Sequence, residues 1–345
     1  MLSSERRYCL VMPFLDEAEH LSAVLTTLEA QTYDRAAWRL IAVDNGSTDG
    51  GPALVEAAFA GGGLRGTIVQ AAIRSIPVAL NAGLAHVSPD EAVIRLDAHT
   101  LYDPDYIATI DRAFKALPDD AWCVGGAPDP LAAAEFGKAL QVALYTNRFG
   151  LGPADFRSAA SSEPVRVSTV YLGAWRPGIL QRMGGFNDAW QANEDCELSE
   201  RIAAAGGKTY RIPLRSKLIV TRGPATTIRK FGRYGFWRAQ TFKRFPRAIR
   251  LRHVVPPVVL VGTVALACSG FRLALGALYL LYALGTIRSR QSGERWAVTA
   301  GSLVFFPLVH SAYALGLLVG AFRSPALEAD AHAARTLEPL VTRTD

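Results

Sequence analysis

A short polar triplet, Asp97-Ala98-His99, follows an apolar run over residues 92–96. Side chains alternate along a strand, so a strand that continues through the triplet presents the Asp97 carboxylate and the His99 imidazole on one face. Both groups are ligands for divalent ions such as Mn²⁺ and Mg²⁺. The spacing therefore predicts a metal site at Asp97 and His99 that holds a diphosphate. A strand end followed by a solvated loop is the alternative that the triplet alone leaves open.

A second acidic cluster, Glu194-Asp195 with Glu197, lies about 100 residues further along the chain. These acids stand at the start of a helix predicted over residues 196–205, where the helix dipole favours carboxylates. Helix capping therefore explains them as well as catalysis does. Taken with the triplet, they indicate a reaction with a phosphate leaving group and a separate general base.

The first hundred residues alternate between predicted strands and helices. Strands are predicted over residues 8–12, 39–43, 67–70 and 92–96, with helices over 19–31, 52–59 and 78–86. This order predicts an α/β fold with a mostly parallel, doubly wound sheet. Ligands of such sheets bind outside the carboxyl ends of the strands. The polar residues at those ends, which predict a nucleotide pocket, are Asp16, Glu17, Asp44, Asp97 and His99.

The C-terminal third is strongly apolar, and residues 296–322 contain no Asp, Glu, Lys or Arg. About 20 apolar residues span a bilayer. We predict about three transmembrane helices, over residues 254–271, 273–287 and 297–321; a hydrophobic core helix pair is the alternative. Four glycines suit close packing of helices in lipid. They are Gly276, Gly285, Gly301 and Gly316.

The orientation in the membrane follows from charge. Residues 1–7 contain no apolar signal-peptide core, so we expect the catalytic part to stay in the cytoplasm. The loop over residues 288–295 carries three arginines and one glutamate, which also favours the cytoplasmic side. We therefore expect the first two membrane helices to form a hairpin that leaves the cytoplasm and returns.

The net charge of +6 is unevenly distributed. Residues 222–252 hold ten Arg or Lys and no acid, whereas the rest of the chain has 27 basic and 31 acidic residues, a net charge of −4. Because this basic segment precedes the first membrane helix, anionic lipid is its expected partner. Nucleic acid is the competing interpretation, but no nucleic-acid-binding motif accompanies the charge. The four cysteines show no paired spacing and predict no zinc site.

Four motifs resemble, in order and spacing, those of family 2 glycosyltransferases with the GT-A fold. Residues 13–17 resemble P-x-x-N-E with Asp16 for Asn, and residues 43–49 resemble V-D-D-G-S-T-D with Asn45 for the second Asp. The triplet stands where the family has D-x-D, and residues 193–195 stand at its E-D motif. The match covers residues 8–252 and is most similar to the succinoglycan biosynthesis ExoA-like subgroup.

The resemblance implies a role for each motif residue. Asp195 would be the general base, with Glu194 beside it, and Asp97 and His99 would bind the divalent metal (Mn²⁺ or Mg²⁺) and the diphosphate. The residues predicted to contact the nucleotide sugar are Pro13, Glu17, Asp44, Asn45, Arg74, Asn81, Asp97 and Arg233. A carboxylate is the family's usual residue at position 99, so His99 would bind the metal, reach a phosphate, or do neither.

Arg233 lies where the family often has Q/R-x-x-R-W, but two of the three key positions depart from that pattern. This departure weakens the case for a processive polymerase. Guanidinium pairs well with phosphate oxygens, so Arg233 would contact either the donor diphosphate or lipid headgroups.

The resemblance implies a multi-pass enzyme of the bacterial inner membrane with its catalytic domain in the cytoplasm. It would transfer a sugar, with inversion, from a UDP-sugar to a lipid-linked or polysaccharide acceptor in exopolysaccharide or cell-envelope glycan synthesis. The alternatives are a polyprenyl-phosphate glycosyltransferase, a sugar nucleotidyltransferase and a non-catalytic membrane scaffold. The predicted domains are a catalytic domain over residues 1–220, a basic interfacial segment over 221–253, a transmembrane region over 254–322 and a tail over 323–345.

Overall fold

The computed structural model describes residues 7–152, 163–221 and 223–323. These residues form two compact units, one of residues 7–129 and 163–219 and one of residues 130–152, 220–221 and 223–323. The second unit includes residues 130–152, which lie within the range predicted for the catalytic domain. The N-terminal residues 1–6 and the predicted tail beyond Arg323 lie outside the described residues.

The first unit contains the strands. They are β1 (Tyr8–Phe14), β2 (Trp38–Asp44), β3 (Gly66–Gln70), β4 (Ala92–Arg95), β5 (Thr100–Tyr102), β6 (Ala121–Gly126), β7 (Val165–Val167), β8 (Tyr171–Trp175), β9 (Lys208–Arg211) and β10 (Ser216–Leu218). Eight of these described strands form one sheet in the order β3-β2-β1-β4-β8-β6-β9-β7. Strands β3, β2, β1 and β4 are parallel, and β8 pairs antiparallel with both β4 and β6. The predicted α/β fold with a mixed, doubly wound sheet is confirmed.

Helices connect the strands of the first unit. They are α1 (Ala18–Glu29), α2 (Gly51–Ala60), α3 (Ile76–Leu84), α4 (Tyr106–Ala116), α6 (Ile179–Arg182) and α7 (Glu194–Ala204). The helices that join β1, β2, β3 and β4 are crossovers, so the carboxyl ends of these strands meet at one edge of the sheet. The polar residues predicted at strand ends therefore share that edge.

Strand β1 runs through the core, and all seven of its residues are buried. Pro13 lies inside this strand instead of in the loop that we predicted. Proline cannot donate a backbone hydrogen bond, so it is rare in central strands. Here β4 stops pairing with β1 at Val11 opposite Arg95, and Pro13 lies beyond that point. The missing N–H therefore removes no bond between these two strands.

The second unit is helical, with α5 (Phe136–Thr146), α8 (Pro224–Arg244), α9 (Leu251–Cys268), α10 (Arg272–Arg288) and α11 (Trp296–Phe322). Of the described helices, α9 and α11 are long and apolar enough to cross a membrane. Helix α10 follows α9 after a short turn and has 17 residues. Large apolar side chains are exposed along α9 and α10, among them Val258, Val261 and Leu281.

Helices α8 and α11 pack closely because glycines let their backbones meet. A methyl group added at Gly316 would lie 2.0 Å from the carbonyl oxygen of Gly232. Gly285 and Gly301 also face near neighbours, the rings of Phe149 and Phe136, whereas a methyl group at Gly276 would meet nothing within 4 Å. Three of the four predicted packing glycines therefore lie in close contacts, and Gly276 does not.

We predict that Gly316→Ala destabilises the helical unit, because its methyl group forces α8 and α11 apart. Overpacking of this kind costs about 1–3 kcal/mol. The matched control is Gly276→Ala, which fills open space on α10 and should leave stability unchanged or slightly raised. Thermal unfolding of the detergent-solubilised protein measures both variants. Equal melting temperatures for the two variants would contradict the close backbone contact.

Candidate active site

The Asp97-Ala98-His99 triplet lies in a turn between β4 and β5. The prediction that one strand carries Asp97 and His99 on the same face is therefore wrong, because β4 ends at Arg95. Tyr102 fixes the turn instead. Its hydroxyl accepts a hydrogen bond from the Asp97 N–H at 2.8 Å and donates one to the Asp97 carbonyl at 3.0 Å. On the other side, the Ile219 N–H donates to the His99 carbonyl at 2.8 Å.

Arg95, the last residue of β4, links the two acidic clusters. One terminal nitrogen of its guanidinium, Nη1, donates to Glu194 Oε1 at 2.9 Å. The other, Nη2, lies 3.6 Å from Asp97 Oδ1. All three side chains are largely buried, with exposed fractions of 15% for Arg95, 10% for Glu194 and 18% for Asp97. The carboxylates that we predicted for donor binding and for catalysis therefore lie on opposite sides of one cation.

Glu194 and Asp195 begin helix α7, directly after Asn193, which adopts a left-handed backbone conformation with φ of 59°. Burial raises the pKa of Glu194; Arg95 opposes this, and the charge of Asp195 adds to it, so the pKa stays above its ordinary value. The neighbouring Asp195 is half-buried, and its carboxylate accepts the Cys196 N–H at 2.8 Å. The two adjacent acids thus differ, with Glu194 bonded to Arg95 inside the protein and Asp195 nearer to solvent.

Glu197 of the same acidic cluster has a different partner. Its side chain is fully buried and accepts two hydrogen bonds from Arg201 Nε, at 2.9 and 3.0 Å. The same guanidinium donates to the carbonyls of Met183 and Gly185. This ion pair therefore joins α7 to the preceding loop.

His99 faces Glu17, which belongs to the loop after β1. Its Nδ1 lies 3.1 Å from Glu17 Oε1. A carboxylate on one imidazole nitrogen is the usual support of a metal-binding histidine, because it fixes the tautomer and the orientation of the ring. The structure therefore pairs a residue predicted to contact the nucleotide with one predicted to bind the metal.

The donor set at this edge is small. Within residues 7–152, 163–221 and 223–323, no group of three or more His, Cys, Asp or Glu side chains is arranged to hold a metal ion. The available donors are the Asp97 carboxylate and the His99 imidazole supported by Glu17. Mg²⁺ commonly binds through one or two protein carboxylates together with substrate phosphates and water. The residues therefore fit a divalent ion that is shared with a diphosphate.

The loops after β1 and β2 interlock. Asp16 Oδ1 accepts the Thr48 N–H at 2.7 Å, which lowers the pKa of Asp16. Asp44 accepts the Ser47 N–H and the Gln70 amide, both at 2.8 Å. Burial alone would raise the pKa of Asp44, but these hydrogen bonds outweigh it and keep the pKa below its usual value. Both carboxylates are therefore held in the ionised form at neutral pH.

The next two predicted contacts also lie beside this loop. Asn45 is buried, and its side-chain oxygen accepts the Ser75 N–H at 3.1 Å, just before α3. Arg74 is exposed and donates to the Gly46 carbonyl at 2.5 Å. The structure thus groups Asn45 and Arg74 with Asp44, and Arg74 places a cation on the outer side of the loop.

Asn81 binds another part of the chain. Its amide donates to the Phe186 carbonyl at 2.7 Å and to Asp188 Oδ1, and its oxygen accepts the Phe186 N–H at 2.8 Å. Gly185, with φ of +76°, passes so close that a methyl group there would lie 2.5 Å from the Asn81 oxygen. Asn81 therefore fixes the loop that leads to α7, and its contact with the nucleotide stays a prediction.

Arg233 lies on α8 in the second unit, and its side chain is exposed. The other predicted site residues all belong to the first unit.

Two residues of the site were missed as functional candidates. Arg95 had a detectable signal, since it is a charged residue inside an otherwise apolar strand, and such residues are rarely buried without a partner. Tyr102 had none, because a tyrosine in a short strand does not reveal which backbone it contacts.

Residues 9–169 match the glycosyl transferase family 2 model. The chain is 27% identical, over 286 residues, to the succinoglycan biosynthesis protein ExoA of Rhizobium meliloti (strain 1021). This match covers 76% of this chain and 83% of that protein.

Two solved structures share the fold. A mannosyltransferase, PcManGT from Pyrobaculum calidifontis in complex with GDP-Man and Mn²⁺, matches with a TM-score of 0.60 and 20% identity, over 93% of this chain and 88% of that one. Residues 1–349 of S. aureus TarS, in complex with UDP, match with a TM-score of 0.50 and 10% identity, over 89% and 91%. Residues 9–169 therefore resemble family 2 glycosyl transferases, the fold is GT-A-like, and the protein is a glycosyltransferase.

Proposed function

We propose that this glycosyltransferase is attached to the bacterial inner membrane and transfers a sugar, with inversion, from a UDP-sugar to a lipid-linked or polysaccharide acceptor. The reaction would serve exopolysaccharide or cell-envelope glycan synthesis, in line with the similarity to ExoA. One observation carries the catalytic part of the proposal. Arg95 holds Asp97 and Glu194, from motifs about 100 residues apart, on its two sides.

The donor would bind at the carboxyl ends of the strands, as ligands of such sheets do. Pro13, Glu17 and Asp44 are proposed to line the nucleoside, with Asn45 and Arg74 on the same loops. Asp97 and His99 would hold a divalent ion together with the diphosphate. When bound, such an ion offsets the negative charge that develops on the departing diphosphate. Complexes of two neighbours with GDP-Man and Mn²⁺ and with UDP support this class of ligand.

Asp195 is the proposed general base. The acceptor hydroxyl oxygen attacks the anomeric carbon, the bond from that carbon to the diphosphate oxygen breaks, and the leaving group takes the bonding electrons. Asp195 takes the proton of the hydroxyl. Glu194 suits this role less well, because its carboxylate is bonded to Arg95 and only 10% of its side chain is exposed. A general base has to be ionised and within hydrogen-bond reach of its proton.

Membrane attachment would use the helical unit. Exposed apolar side chains cover α9 and α10, and α11 has the length and composition of a membrane span. Five exposed cations of the basic segment would face anionic lipid. They are Arg229, Arg233, Lys243, Arg247 and Arg250. This arrangement favours lipid headgroups as the partner of Arg233.

The proposal predicts metal-dependent release of UDP from one UDP-sugar in a panel, measured on detergent-solubilised protein with membrane lipid extract as acceptor. EDTA should abolish release, and Mn²⁺ or Mg²⁺ should restore it.

Because general-base catalysis contributes about 10²–10⁴-fold, Asp195→Asn should lower turnover at least about 100-fold. Asp97→Asn should abolish UDP release, and added Mn²⁺ or Mg²⁺ should not restore it.

The matched control is Asp120→Asn. Asp120 pairs with Lys208 at the opposite, amino-terminal end of the strands, so turnover should stay near that of the wild type. Release of GDP from a GDP-sugar instead would correct the donor and leave the reaction class intact. Full activity of Asp195→Asn would refute the assignment of the base.

The proposed topology predicts that the end of α9 is outside the cytoplasm. Cys9, Cys123 and Cys196 are buried, whereas Cys268 is exposed at the last residue of α9. A membrane-impermeant maleimide added to intact spheroplasts should therefore label the wild type and spare Cys268→Ser. Labelling that requires lysis of the spheroplasts would show that the α9–α10 turn is cytoplasmic.

A further inference from the structure

The guanidinium of Arg95 is placed to set the distance between the donor-binding and the proton-accepting sides of the site. We infer that Arg95 is a positioning residue, which holds the Asp97 turn and the start of α7 in the register needed for transfer. The inference rests on the proposed function. It assigns a positioning task to Arg95, which is itself neither the proposed base nor a proposed metal ligand.

A rigid element carries Arg95. Its backbone is the last residue of β4 and pairs with Val11 in the parallel part of the sheet. Asp97 lies two residues later in a turn, and Glu194 lies at a helix start that follows a left-handed residue. Of these three, Arg95 alone stands on a paired strand. The strand is thus the fixed reference to which the guanidinium attaches the two less regular segments.

Arg95 also lies between like charges. Its guanidinium is 2.9 Å from the Glu194 carboxylate and 3.6 Å from the Asp97 carboxylate. Like charges that are close together in a partly buried site repel each other strongly. Without the cation, Asp97 and the start of α7 would therefore move apart. This movement misplaces the leaving group relative to the base.

The partners of Arg95 differ from those of Arg201, which holds the fold together. Arg201 donates from Nε to Glu197 and from its two terminal nitrogens to backbone carbonyls. Arg95 has no backbone partner among the hydrogen bonds of the described residues, and its buried Nε has no acceptor there. Among the described residues, its hydrogen bonds and ion pairs go to the two acidic motifs, which is the arrangement expected of a residue that positions a site.

The test compares Arg95→Lys and Arg95→Met with Arg39→Met. Arg39 is the matched control because it is also a strand arginine bonded to a mostly buried glutamate, Glu91, at 2.7 and 2.8 Å. It lies near the start of β2, at the edge of the sheet opposite the site. For each variant, kcat and the donor KM are measured per folded molecule, alongside the melting temperature.

We expect kcat of Arg95→Met to fall about 100-fold, as a misplacement near 1 Å causes, with a raised donor KM. Arg95→Lys keeps the charge and should fold, and it should recover about tenfold of that loss if charge does most of the positioning. Arg39→Met should lose melting temperature while kcat and KM stay within about twofold of the wild type, since its ion pair is remote from the site.

A purely structural role would give a different pattern. Arg95→Met would then lose melting temperature but keep kcat per folded molecule, as Arg39→Met does, and the inference would be refuted. An Arg95→Lys variant no more active than Arg95→Met would also contradict it. If the wild type itself turned over no donor, the proposed function would fail and the inference would fall with it, so the two failures are distinguishable.

Discussion

One buried guanidinium between two carboxylates is the interaction on which the site depends. Arg95 bonds Glu194 at 2.9 Å and lies 3.6 Å from Asp97. A charge that is largely removed from water is costly unless charged partners surround it. The sheet and α7 must therefore meet in one arrangement, because any other leaves Arg95 or its partners unpaired. The two acidic motifs are adjacent for that reason.

The surrounding structure repeats this pattern, in which a side chain from one element fixes the backbone of another. Tyr102 bonds both backbone groups of Asp97, and Asn81 bonds both backbone groups of Phe186. Asp16 and Thr48 join the loops after β1 and β2. Irregular loops thus gain the fixed positions that catalysis requires, since pre-placed groups need no rearrangement during the reaction.

The sequence predicted those features that depend on local order. Alternating strands and helices predicted the parallel part of the sheet, and polar residues after the strands predicted the edge where ligands of such sheets bind. The predicted strand over residues 92–96 was one residue too long. Strand β4 ends at Arg95, so the triplet lies in a turn and not on the strand. Partners such as Arg95 with Glu194 depend on how the antiparallel strand β8 enters the sheet beside β4. No local sequence pattern encodes that pairing. Nor does a local pattern show that residues 130–152 belong to the helical unit.

The central claim is that Asp97 and the Glu194-Asp195 pair flank one donor site. A structure of the protein with UDP and Mn²⁺, with the ion located by its anomalous scattering, tests this most directly. The account predicts an ion coordinated by the Asp97 carboxylate, with the diphosphate beside it and the Asp195 carboxylate facing the leaving-group side. An ion and diphosphate bound without contact to Asp97 would contradict the account.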